Sequence, residues 1–207
     1  MKYFCYFISI ILLSCSNKED VFLPKASVSI VKKIEDLSTI YIFFKTNGKD
    51  TLAEVNRKNS IISTNWVFTI DKRLPLKLII PEVMKLQEKK REDGAHKNEK
   101  AENYYSYADT INKNLAFLPF THIYYKTTKP VEGFIFYFKK ENDSVLLNDT
   151  KVKKSNVIKY FNTIDFTVNP EIILLFDKNM SYEEYIQNKI LIGELQFNNK
   201  IRTEFIF

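Results

Sequence analysis

A chain of 207 residues, 45% hydrophobic and 14% aromatic, has enough apolar side chains for a packed core, as one domain or two small ones. Only 4 glycines, with no GxGxxG or GxxxxGKS/T run, argue against a glycine-rich phosphate loop. The formal charge of +6 is mild, and lysine and glutamate are interspersed, so a basic face for nucleic acid is not indicated.

The N-terminal stretch MKYFCYFISIILLSC starts with Lys2 and runs apolar from Tyr3 to Leu13. That run is too short for a membrane-spanning helix, which needs about 20 residues, and suits a secretory leader. Leu12-Leu13-Ser14-Cys15 resembles a bacterial lipobox, in which a small residue precedes the cysteine that becomes diacylated and N-terminal. Residues 1–14 are therefore expected to be a lipoprotein signal peptide, with lipidation at Cys15 and a membrane anchor through the lipid. Cleavage removes Cys5 and acylates Cys15, leaving no free thiol, disulfide or cysteine metal site. Residues 15–27 are expected to form a tether, because SNKED has too few apolar groups to bury. Lys18, Glu19 and Asp20 are also similar to the acidic export signal of some surface lipoproteins of Gram-negative bacteria. The expected location is the cell envelope, lipid-anchored at the outer membrane on its periplasmic or surface face.

A first α/β unit is expected over 28–127. STIYIFFK, from Ser38, reads as a strand; Asn47-Gly48 is a hairpin signal, and TLAEVN returns as its partner. Val67 to Ile70 is a short apolar strand ended by Asp71-Lys72. Leu76, Ile79, Ile80, Val83 and Met84 then fall on one helical face. Pro81 either opens that helix or kinks it at about 3 kcal/mol, and a start close to Pro81 is favoured. The polar stretch 87–103 continues the helix for a turn or two and becomes an exposed connector around Gly94. YYSYADTINKN is read as a short helix or an irregular segment, and LPFTHIYYK as a strand.

A second unit is expected over 128–207. FIFYFK parallels IYIFFK, ENDS supplies the turn, and Val145 to Leu147 returns as a strand ending in Asn148-Asp149. KKSNVIKYFNTI suits a short amphipathic helix with Val157, Ile158, Phe161 and Ile164 inward. The strand IILLF ends at Asp177-Lys178; Ser181 and Glu184 form a capping-box pattern, and Tyr182, Tyr185, Ile186 and Ile190 a buried stripe. NKIRTEFIF closes as a strand. Val67–Asp71 overlies Ile173–Asp177 at an offset of 106, which carries Leu76, Ile79, Ile80 and Met84 onto Tyr182, Tyr185, Ile186 and Ile190. The first strands align at an offset of 94, so the second unit holds 12 more residues between landmarks. The pattern predicts a tandem repeat in an α+β fold with mixed sheets.

The order strand, turn, LND, helix, apolar strand, Asp-Lys corner and amphipathic helix resembles the exported domain of the ExbD/TolR family, the partners of proton-driven envelope motors. Asp177, Lys178, Tyr182 and Tyr185-Ile186-Gln187 carry the likeness in the second unit, and Asp71, Lys72 and Pro75 in the first. The resemblance implies a binding role through self-association or an envelope-complex protein. That family's proton pathway uses an acidic residue in a transmembrane helix, whereas Tyr3 to Leu13 holds no Asp or Glu, so proton coupling is not expected. The alternative is a surface-exposed lipoprotein binding a glycan or a host protein.

No enzymatic activity, metal or cofactor is expected. His96 and His122 are isolated, and no HExxH or GxSxG occurs. Asp71 and Asp177, with Lys72 and Lys178, are expected to be structural corners whose carboxylates accept backbone N–H bonds near a helix start. Tyr104, Tyr105, Tyr107, Tyr182 and Tyr185 are the candidate interaction residues: exposed, such amphipathic rings make good protein or glycan contacts, and half-buried on strands and helices they are core.

Overall fold

The computed structural model describes residues 20–92, 98–130, 132–166, 170–195, 197 and 201–207. The expected signal peptide, Cys15, residues 15–19 and His96 lie outside these. In chain order the elements are Lys25–Ala26 (β1), Leu37–Asn47 (β2), Asp50–Asn56 (β3), Asn65–Ile70 (β4), Leu76–Glu92 (α1), Asn103–Asp109 (β5), Asn114–Pro119 (β6) and Tyr124–Lys126 (β7). Phe134–Phe138 (β8), Ser144–Leu147 (β9) and Thr150–Lys153 (β10) follow. A 3-10 turn, Lys154–Asn156, leads into Val157–Phe161 (α2), then Ile172–Phe176 (β11), Tyr182–Gly193 (α3) and Thr203–Ile206 (β12).

The fold is α+β, with two mixed six-stranded sheets. In the first sheet, β3 pairs antiparallel with β2, and β2, β4 and β5 run parallel side by side. In the second, β9 pairs antiparallel with β8, and β8, β11 and β12 run parallel side by side. These four-strand cores have one plan, a hairpin followed by a crossover strand, a helix and a final parallel strand. Only the margins differ. The first sheet adds antiparallel β6 beyond β5, and the second adds parallel β7 beyond β12 and antiparallel β10 beyond β9.

One apolar cluster serves both sheets. It contains Ile40, Ile42, Phe68 and Ile70 from the first, Phe136, Phe138, Leu174 and Phe176 from the second, and the buried faces of α1 and α3. Ile79, Ile80 and Val83 on α1 are essentially inaccessible, and burying each contributes about 1.5–3 kcal/mol.

Several expectations are corrected. Helix α1 starts at Leu76 and carries Pro81 inside it, because contacts from the other half satisfy its first N–H groups. YYSYAD is a strand, β5, with Tyr105 and Tyr107 turned into the core. LPFTHIYYK is two strands separated by a turn at 121–122, and His122 lies exposed in that turn. β7, placed by sequence in the first unit, pairs with β12 in the second. Asn148-Asp149 is a hairpin turn with φ of 41° and 71°, and it adds β10 before the expected helix.

Residues 20–27, read as part of the tether, are packed on the fold. Phe22 donates its N–H to the Asp71 carboxylate and its carbonyl accepts from the Lys72 N–H, while β1 runs parallel beside the end of β5. The segment continues to the outer edge of β6, where Val31 and Phe117 exchange backbone bonds. Distant partners pin it: Tyr107 Oη donates to the Val28 carbonyl, and Ser29 Oγ donates to Asp109.

Candidate functional site

The two Asp-Lys corners meet. A helix leaves the N–H groups of its first turn without intrahelical acceptors. In α1, Leu76 N–H donates to the Met180 carbonyl at 2.9 Å and Lys77 N–H to the Lys178 carbonyl at 2.8 Å. In α3, Tyr182 N–H donates to the Leu74 carbonyl at 2.8 Å and Glu183 N–H to the Lys72 carbonyl at 3.2 Å. Under the offset of 106 these two sets exchange into one another, and the bridge between Pro75 and Ser181 sits on the pseudo-two-fold axis. Each half's helix start is capped by the other half's corner, which is the geometry of a closed, isologous contact within one chain. Ser181 adds a capping box with Glu184 at the α3 start. Lys72 and Glu183 form a cross-seam ion pair at 3.1 Å.

The corner carboxylates accept backbone N–H bonds but differ in depth. Asp71 is inaccessible, accepts N–H bonds from Phe22 and Arg73, and forms a bidentate pair with the Arg73 guanidinium at 2.8 Å. Burial alone would raise its pKa; the Arg73 side chain and the two backbone N–H groups outweigh that and hold it below its ordinary 3.8. Arg73 also stacks over the rings of Phe22 and Phe44. Asp177 is partly exposed, accepts from Asn179 N–H at 2.8 Å and lies beside Lys140 N–H. The two carboxylates share no partner.

Four of the five candidate interaction tyrosines are core residues. Tyr105, Tyr107, Tyr182 and Tyr185 are inaccessible, and Tyr104 alone is partly exposed, bonded to Glu102. Tyr105, Tyr125 and Tyr185 link hydroxyl to hydroxyl, and Tyr185 donates to the buried Glu204 at 2.7 Å. Lys189 closes the network as the ionic partner of Glu204. Burial first, then neighbouring oxygens, pushes Tyr105, Tyr125 and Tyr185 well above the ordinary phenol range, so they stay neutral donors. The rings sit between the sheets: Tyr185 packs edge-on against Phe176 of the second sheet and Tyr105 of the first.

A cleft of about 250 Å³ lies near the end of α1, between Lys90, Arg91, Asn103, His122 and Tyr124. Desolvation lowers Lys90 to about 8 against the opposing charge of Glu102. Its ammonium faces three acceptors, the carbonyls of Thr64 and Glu102 and Oδ1 of Asn103, which makes it a brace between α1 and the strand starts. Among the described residues, no group of three or more His, Cys, Asp or Glu side chains could hold a metal ion, and no helix is long and apolar enough to cross a membrane.

Compared with known protein families, curated proteins and solved structures, the chain matches none. The reciprocal seam is the most distinctive arrangement among the described residues. Its signal was present in sequence as the repeated Asp-Lys corner; its partner carbonyls were not.

Proposed function

We propose that this chain is a lipid-anchored, non-enzymatic interaction module of the bacterial cell envelope, built from two fused units that resemble the exported domain of ExbD/TolR proteins. The observation that carries this reading is the seam, where helix starts and corners from the two halves satisfy each other across a pseudo-two-fold axis. Such an arrangement is what a homodimer of a strand-helix unit becomes when its copies are joined in one chain. The seam's backbone groups satisfy one another and Arg73 holds Asp71, so the interior serves cohesion and the outer surfaces are left for partners. Tyr3 to Leu13 supplies no carboxylate for proton coupling. The module's work is binding, from a membrane surface, as an accessory to an envelope complex.

Two measurements test this. Metabolic labelling with a fatty-acid analogue should mark the wild-type protein and miss Cys15→Ala; equal labelling, or none in either, overturns the anchor. Crosslinking of whole cells followed by purification should recover envelope proteins joined to the chain, and recovery of the chain alone overturns the accessory role.

A further inference from the structure

The second sheet has an outer face unlike that of the first. Alternation along its strands sends Phe136, Phe138, Leu174, Phe176, Glu204 and Tyr125 to the core, so their neighbours point away from it. Strand register places Lys151, Leu146, Tyr137, Leu175, Phe205 and Lys126 side by side in one row across all six strands. At about 4.8 Å per strand, the terminal lysines stand about 24 Å apart. Lys126 and Lys151 are exposed, and Tyr137, Leu146 and Phe205 are half-exposed.

Cations border the rings. Lys126 Nζ lies 5.6 Å from the Phe205 centroid, Lys139 Nζ 5.4 Å from Tyr137, and Lys178 Nζ 5.3 Å from the exposed Phe207. Lys153 adds another exposed ammonium on the β10 edge. The Asp177 carboxylate beside Tyr137 is engaged by backbone N–H groups. The corresponding row of the first sheet is neutral: Asn56, Tyr41, Thr69, Ser106 and Phe117, with Thr69 and Ser106 bonded to each other at 3.0 Å. There Lys45 is paired with Glu54.

We propose that the outer face of the second sheet binds an acidic polysaccharide, a chain of sugar rings bearing carboxylate or sulfate groups; the choice of a glycan over a nucleic acid rests on the envelope location proposed above. The central Leu175 and Ile173 are buried, so the accessible surface is made of the flanking rings and ammonium groups and offers little apolar area for insertion into a bilayer. Pyranose C–H groups carry partial positive charge and stack on electron-rich rings such as Tyr137 and Phe205. The flanking ammonium groups act as point charges for the anions. A second copy is disfavoured, because two lysine-edged faces would repel.

The test uses the full-length protein in detergent, with heparin and polygalacturonate as probes, and dextran, duplex DNA and anionic vesicles as comparators. Both acidic glycans should bind, dextran should not, and raising salt should weaken binding. Lys126→Glu with Lys151→Glu should weaken it about tenfold or more. Tyr137→Leu, which keeps apolar volume, should weaken it several-fold, while Tyr41→Ala on the first sheet should leave it unchanged. Failure to bind either glycan, binding indifferent to the row substitutions, or equal binding of DNA or vesicles overturns the proposal. Fatty-acid labelling at Cys15, read separately, shows whether the envelope reading stands or falls with it.

Discussion

The two halves share a backbone plan and differ in what they do with it. Phe68 faces Tyr105 in the first sheet, and Leu174, its counterpart at the offset of 106, faces Glu204 in the second. One half thus offers a phenol at the position where the other offers a carboxylate, and Tyr185 and Tyr125 connect them. Two identical carboxylates meeting in a dry seam would repel. Two halves of one chain escape that constraint, since matching positions can carry different residues. The corners differ in the same way: Phe22 and Arg73 seal Asp71, while Asp177 keeps an open side.

Substitutions should rank the two halves unequally. Glu204→Ala strands Lys189 and the Tyr185 hydroxyl in a buried site and should cost about 3–5 kcal/mol, measured by urea unfolding. At the matching position Tyr105→Phe removes one hydroxyl contact and should cost about 1 kcal/mol. Equal losses at the two positions would show that the network is not anchored on Glu204.

Next in size is the pair of corners. Asp71→Ala removes a buried acceptor of four hydrogen bonds and should cost about 2–3 kcal/mol, whereas Asp177→Ala should cost about 0.5–1 kcal/mol. Because the folded pKa of Asp71 is lowered, its contribution is complete above the ordinary carboxylate value of 3.8 and is lost as pH falls through the depressed one. The gap between wild type and Asp71→Ala should therefore be constant near pH 7 and narrow in acid. A gap that widens in acid would reverse the sign of the assignment.

Smaller effects separate the helix starts and the turns. Ser181→Ala deletes the α3 capping box and should cost about 1 kcal/mol in thermal unfolding. Asp149, at φ 71°, should accept glycine with a gain of about 0.5 kcal/mol, while Gly48→Ala at φ 61° should lose about 1 kcal/mol.

Local rules read from sequence carried far in both halves. The capping box at Ser181, the stripe of Tyr182, Tyr185, Ile186 and Ile190, and the Asn47-Gly48 hairpin depend on neighbours a few residues away, and all are present. The candidate site fared worse. Tyr105 and Tyr107 could be read as contact rings or as core, because the groups that satisfy their hydroxyls, on Tyr125 and Val28, are 20 and 79 residues distant. The lysines of the second sheet looked like an ordinary solvated charge mixture, because TKVKK, YYK and FYFKK are separate in sequence and become neighbours only through strand register.

The sequence by itself determined the spacing of turns and apolar runs, the repeated Asp-Lys corner and the periodic faces of the helices, since these follow from backbone geometry over one or two turns. Only the tertiary structure decided that each corner caps the opposite helix, that α1 starts ahead of Pro81, and that β7 joins the second sheet. The reason is that a buried backbone N–H takes its acceptor wherever the fold brings one, and the acceptors at the seam lie more than about a hundred residues away along the chain.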